Sequence, residues 1–262
     1  MPTGTPSPVN QPVVRCVGLT KWFGGVQALR GITLDVHAGQ VLGLVGDNGA
    51  GKSTLVKILS GIHRPDGGEI WLGDEQVGHL TPHSARDHGI ETVYQGLALC
   101  ENLDAVSNVV LGQEPTLFTL GPLRIVDRRG ASRIARARLE VVGATLPDLG
   151  LSVRRLSGGQ RQAVAIARAT MRAHRLIMFD EPTAALGIHQ TQATISLIRG
   201  VADQGVATIV ISHNMEDVFA VADRIVVLRL GNIALDTPIG ETSREEVMAC
   251  ITMGHTSTPT HS

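Results

Sequence analysis

The chain is short of lysine, of aromatic residues and of paired cysteines, and each shortage removes a class of explanation. Its lysines are Lys21, Lys52 and Lys57, and every other basic residue apart from histidine is an arginine. Lys52 is therefore not one of a crowd of surface ammonium groups, and its setting decides its role. One tyrosine, two tryptophans and four phenylalanines are too few and too scattered to form a stacking platform for a sugar or for single-stranded nucleic acid. Cys16, Cys100 and Cys250 stand far apart with no CxxC spacing, which argues against a disulfide framework and fits a reducing compartment. No apolar run reaches the roughly 18 residues of a membrane-spanning helix. The Pro-, Thr- and Ser-rich start, residues 1–12, lacks a basic segment followed by an apolar one, so it reads as a flexible tail and not a secretory signal. A formal net charge of -1 gives no sign of general affinity for nucleic acid or anionic membrane.

What is present is a chain of 262 residues, 43% of them hydrophobic, enough to bury one large core or a core with an inserted subdomain. Residues 13–17 and 32–36 read as short strands, and residues 40–45 form a Val/Leu-rich run leading into a glycine-rich turn. A helix over 54–59 follows, stopped by Gly61 and Pro65. Residues 90–94 resemble another strand. From about 102 to 171 the pattern is mostly helical, including an Arg-rich stretch over 127–142. Strand candidates at 176–179, 206–211 and 224–228 then alternate with a helix at about 190–202, as in a mostly parallel α/β sheet. Residues 232–235 close a hairpin through Leu230-Gly231, and 243–251 form a last short helix. The Ser/Thr/His-rich residues after Thr252 are expected to be disordered. No internal repeat is found.

Three segments carry chemistry. Gly46-Asp47-Asn48-Gly49-Ala50-Gly51-Lys52-Ser53 satisfies GxxxxGK[ST] between a strand and a helix. Glycines there let successive backbone N–H groups curl around phosphate oxygens, and the helix start presents its positive end to the same charge. Lys52 is placed to reach the β- and γ-phosphates of a nucleotide, Ser53 to coordinate Mg²⁺, and Thr54 to contact the nearer phosphates. The second segment, residues 176–179, is apolar and ends in Asp180-Glu181. Ligands gather at the carboxyl ends of strands in such sheets. Asp180 is suited to hold the hydration shell of Mg²⁺, and Glu181 to orient and deprotonate an attacking water. The third is Leu156-Ser157-Gly158-Gly159-Gln160 ahead of a helical pattern. Ser157 and Gln160 form a capping box that any helix could use, yet the same capped start with two glycines also exposes N–H groups as a second anion cradle.

With these three segments in this order, the chain resembles the ATP-binding cassette family from about Val13 to Ile251. The resemblance implies an α/β P-loop NTPase core with a mostly parallel sheet, an N-terminal antiparallel β subdomain and an inserted helical subdomain at about 96–171. It implies that ATP and Mg²⁺ are bound, and that Ser157, Gly158, Gly159 and Gln160 face the phosphate loop of a second cassette, expected to be a second copy of this chain, in a dimer sharing two nucleotides. Phe23, in Lys21-Trp22-Phe23-Gly24, matches the aromatic that stacks on adenine. Gln95 matches the glutamine that senses Mg²⁺ or water and links to a transmembrane partner, and His213 the histidine that touches the γ-phosphate. Residues 182–187 match the loop that crosses the dimer interface, with Gly187 where many members carry Asp. Residues 94–104, 184–187 and 211–215 look like the single-cassette branch of monosaccharide importers, of the fructose or pentose kind, although Gly96 replaces an acidic residue expected beside the glutamine.

The implied role is an ATP-hydrolysing subunit, cytoplasmic and peripheral on the inner face of the membrane, serving a separate permease and, indirectly, a sugar-binding protein. Two alternatives stay open: a cassette ATPase outside transport, and a regulatory nucleotide-binding module with negligible hydrolysis. Arg128, Arg129, Arg133, Arg136 and Arg138 are read as a solvated helix face and not as a nucleic-acid site.

Overall fold

The computed structural model describes residues 11–120, 123–184 and 186–253; most of both expected tails lies outside that range. Two strands, β1 (Val14–Phe23) and β2 (Val26–Val36), form a hairpin that is longer than the sequence pattern suggested. The strands β4 (Gly67–Leu72) and β5 (Glu75–Val77) extend it into an antiparallel sheet of order β2-β1-β4-β5.

The second sheet has the order β12-β11-β3-β10-β9-β6. Its strands are β3 (Val41–Gly46), β6 (Ile90–Val93), β9 (Leu176–Asp180), β10 (Ala207–Ile211), β11 (Arg224–Arg229) and β12 (Asn232–Pro238). All neighbours are parallel except β11 and β12. Both faces of this sheet are covered, which is why residues 41–45 and 207–211 are apolar throughout, or nearly so, instead of alternating. The pleat divides each strand between two cores. Leu42 and Leu44 face α1 (Lys52–Leu59) and the antiparallel sheet, in a cluster with Leu29, Leu55 and Ile58. Val41 and Val45 face the opposite way, into a cluster with Val164, Ile198 and Val218, carried by α5 (Gly158–Thr170), α6 (Ile188–Asp203) and α7 (Met215–Val221). Each such fully buried side chain contributes about 1.5–3 kcal/mol. Gly43 lets α7 approach β3 closely, since a Cβ there would stand 2.5 Å from Val218 Cγ1.

Between β6 and β9 lie α3 (Ala105–Val110), α4 (Arg128–Val141) and α5. The expected helical region also holds a two-stranded hairpin, β7 (Thr116–Leu120) and β8 (Leu123–Val126). The mostly helical reading passed over the β-branched residues Thr116, Thr119, Ile125 and Val126, which favour strands. In α4, Asp127 caps the helix by accepting from Gly130 N at 2.9 Å. The buried face is Gly130, Ala131, Ala135 and Leu139, which leaves Arg128, Arg129, Arg133 and Arg136 exposed and Arg138 half-buried. The short helix α2 (Pro82–Asp87) precedes β6, and α8 (Arg244–Met253) runs two residues beyond the expected end at 251. No helix among the described residues is long and apolar enough to cross a membrane.

Candidate functional site

The phosphate loop is held in shape by its own backbone and by β2. Gly46 has φ 148°, and a Cβ there would collide with the Leu228 carbonyl on β11. Gly51 has φ 110°, and its Cβ would stand 2.7 Å from the Ala28 carbonyl of β2. Only glycine meets both demands. Gly231 N donates to Ala50 O at 3.0 Å and Arg30 N to Gly231 O at 2.8 Å, so β2 and the β11–β12 turn brace the loop. Lys52 Nζ closes it from within, donating to Gly46 O at 2.7 Å and Asp47 O at 3.0 Å. No side chain caps α1, and no acidic residue lies in its first turn. The amides at its start, with the exposed hydroxyl of Ser53 and the half-buried Thr54 beside them, suit an anion.

The carboxylates reach the same place from neighbouring strands. Val93 is the register partner of Phe179, Ile211 of Asp180, and Leu44 of Ile211. Gln95, Glu181, His213 and Gly46 therefore leave four adjacent parallel strands at nearly the same level. Burial pushes the Asp180 carboxyl above the usual carboxylate range, and the neighbouring Glu181 adds to this against the opposing pull of Lys52 and Lys57. Burial also lowers the Lys52 ammonium below the ordinary lysine range, while Glu181, Asp47 and Asp180 push the other way. Ammonium and carboxylates thus lie close enough to act on one another.

Glu181 adopts a left-handed backbone with φ 52°, unusual for a residue with a side chain. Its N–H donates to Ile211 O at 2.9 Å. His213 is three-quarters exposed and brings Nδ1 within 2.9 Å of Glu181 Oε2. The approach is not aligned as a hydrogen bond, so the buried Oε2 is left without a donor.

Among the described residues, no hydrogen bond or ion pair joins three further expected site elements to this centre. Phe23 is 45% exposed at the tip of the β1–β2 hairpin, edge-on to His63 with ring centroids 5.3 Å apart. Gln95 is exposed and opens a turn in which Leu97 and Ala98 both have positive φ. Ser157 and Gln160 form the reciprocal capping box, with Gln160 Oε1 accepting from Ser157 N at 2.9 Å and Ser157 Oγ from Gln160 N at 3.2 Å. Among the described residues no hydrogen bond or ion pair joins this motif to residues 46–54 of the same chain. Its glycines instead lie against α6: a Cβ on Gly158 would sit 3.3 Å from Leu186 Cδ2 and 3.3 Å from Gln190 Oε1.

Two supporting residues escaped the sequence reading. Arg168 of α5 donates to Leu97 O at 2.8 Å and Ala98 O at 2.7 Å, gripping the left-handed turn after Gln95. Asp217 of α7 accepts from Thr183 Oγ1 at 2.5 Å. The only trace of Arg168 in the sequence is a long arginine amid small apolar helix residues; Asp217 looks like an ordinary acid in a first helical turn.

A family model described as ABC transporter matches residues 29–184. The chain is 39% identical to a xylose/arabinose import ATP-binding protein of Sulfolobus acidocaldarius, over 88% of this chain and 90% of that protein. It is 43% identical to a fructose import ATP-binding protein of Rhizobium meliloti, over 85% of this chain and 86% of the other. Among solved structures, it is similar to a dimeric post-hydrolysis state of an ATP-binding cassette bound to ADP and Pi, with TM-score 0.70 and 25% identity over 86% of this chain and 98% of that one.

Proposed function

We propose a function from one premise: the chain belongs to the ABC transporter family. It is the ATP-binding and ATP-hydrolysing subunit of a sugar importer, and the sugar is a monosaccharide. The observation that carries this reading is the convergence of a preformed phosphate loop, Asp180, Glu181 and His213 at the carboxyl ends of adjacent strands, in a chain akin to sugar import ATP-binding proteins along most of its length.

The triphosphate lies on the amides of residues 46–54, with Lys52 turning from the loop carbonyls to the β- and γ-phosphates. Phe23 packs on the adenine. The donor chemistry fits Mg²⁺. No group of three His, Cys, Asp or Glu side chains suited to a metal occurs among the described residues, and this cation is held by one or two carboxylates together with substrate phosphates. Asp180, Ser53 and Gln95 would hold it, and a cation there would offset the burial and the neighbouring Glu181 charge that push the Asp180 carboxyl up. Bound there, Mg²⁺ would neutralise charge on the phosphate oxygens. Glu181 takes a proton from the attacking water as its oxygen bonds to the γ-phosphorus and the bond to the β-phosphate oxygen breaks. His213 donates to the γ-phosphate, its nearness to Glu181 keeping base and histidine on one side of the nucleotide.

A second copy of the chain completes the site. Ser157, Gly158 and Gly159 have no partner in the phosphate loop of their own chain, and their capped helix start supplies an anion cradle to the γ-phosphate of the other protomer. Closure and reopening of this pair drive a separate membrane permease, which holds the subunit at the inner face of the membrane. Reconstitution with the permease in vesicles tests the reading: hydrolysis of Mg-ATP should rise when the transported monosaccharide and its binding protein are added. Hydrolysis that ignores every sugar in a permease-bound complex would refute import.

A further inference from the structure

The hydrogen bond between Thr183 and Asp217 belongs to neither the nucleotide loop nor the apolar core. Both residues are less than a tenth exposed, and the hydroxyl donates to a carboxylate oxygen at 2.5 Å. Thr183 stands two residues beyond Glu181, in the turn that leaves β9, and Asp217 stands four beyond His213, in the first turn of α7. An acid in a first helical turn is favourable by itself, but that would leave it free to face water. Here it is turned inward onto the Thr183 hydroxyl, a bond whose loss leaves a buried polar group unsatisfied.

The placement matters because nothing aligned fixes the pair it flanks. His213 Nδ1 approaches Glu181 Oε2 without hydrogen-bond geometry, so their separation follows from how the two backbones are held. Glu181 N on Ile211 O fixes one side. Asn214, which caps α7 through Glu216 N at 3.0 Å and donates its own N–H to Ser212 Oγ at 3.0 Å, fixes the start of the other. The Thr183–Asp217 side-chain hydrogen bond joins them. The chain beyond Thr183 continues to Leu186, which with Gln190 lies against Gly158, so the second glycine motif is referred to the same turn.

We propose that Thr183 and Asp217 are a positioning pair that sets Glu181 and His213 against each other for hydrolysis, an inference that rests on the ATPase reading and adds two residues to it. The test compares wild type with Thr183→Val, Thr183→Ser and the double variant Thr183→Val/Asp217→Leu. The double variant removes both polar partners and so leaves no orphaned buried group. Steady-state hydrolysis of Mg-ATP is read beside ATP binding measured without Mg²⁺ and beside thermal melting. Thr183→Val and the double variant should each lose about tenfold or more in kcat, with the ATP dissociation constant unchanged within twofold, and Thr183→Ser should keep wild-type kcat within twofold. A kcat within twofold of wild type in the folded double variant overturns the proposal. So does a loss of kcat matched by an equal loss of ATP affinity, or a Thr183→Ser variant as slow as Thr183→Val. A wild-type chain that binds ATP and never hydrolyses it, even with its permease, sinks the ATPase reading as well, which separates the two failures.

Discussion

Replacing Lys52 by methionine separates what its ammonium does for the loop from what it does for a triphosphate. In the free chain Nζ donates to the Gly46 and Asp47 carbonyls at 2.7 and 3.0 Å, but burial holds its pKa below the ordinary lysine range. The sign follows from that direction. A base whose folded pKa is depressed costs the folded state stability while it is protonated, fully below the depressed value, and the cost fades as pH rises toward the ordinary one. Methionine removes the cost together with the two bonds, and water reaches the half-exposed carbonyls, so the free protein should change in stability by no more than about 1 kcal/mol. Bound phosphates alter the balance. Two charge-assisted bonds of about 1.5–3 kcal/mol each predict a loss of ATP affinity on the order of 10² to 10⁴-fold. Calorimetric titration with ATP and a thermal melt of the free chain measure both quantities. Wild-type affinity should also weaken as pH rises through the depressed Lys52 value, because the anion binds the protonated form. A folded methionine variant that binds ATP within threefold of wild type would refute the phosphate-cradle argument.

Phe23→Ala should leave melting nearly unchanged, since the ring is 45% exposed, and should weaken ATP about 2- to 10-fold, the order of one aromatic stacking contact; binding of ATP and of inorganic triphosphate, compared side by side, checks that only the former suffers. Thiol titration with Ellman's reagent at pH 8 should find Cys100 reacting quickly, because it is exposed. Cys16 is buried and its thiol is pushed up to about 12, and Cys250 is buried with its thiol also raised. Both should react only after unfolding, and fast labelling of all three would contradict the core packing.

Much of this architecture could be read from residue order alone, where a motif and its geometry are the same thing. GxxxxGK[ST] between a strand and a helix dictates positive φ at glycines, and Gly46, Gly49 and Gly51 have it. The nearly unbroken apolar runs at β3 and β10 fit strands covered on both faces. Several short elements were not legible. Strand β5 has 3 residues, β8 has 4 and α7 has 7, too few for a period to declare itself, and their places are set by tertiary contacts. The site was legible as a set of candidates and not as a geometry. Nothing in the order of residues told that Glu181 takes a left-handed backbone, that His213 approaches it without an aligned bond, or that Arg168 holds the turn beyond Gln95. Those features depend on strand register and on helices contributed from far along the chain. The Ser157 motif has a further reason for remaining an expectation: within one chain its glycines lie against Leu186 and α6, and its proposed ligand belongs to a second copy.

The central claim is that two copies close around nucleotide, the phosphate loop of one facing the Ser157 motif of the other. Glu181→Gln tests it most directly, because the amide keeps the shape of the side chain and removes its capacity to take a proton from water. Mass measured by light scattering on a sizing column should show this variant as a monomer without nucleotide and as a dimer with Mg-ATP, and the dimer should carry two ATP per pair. A Glu181→Gln chain that binds ATP tightly and stays monomeric at every concentration, alone and with its permease, would contradict the account.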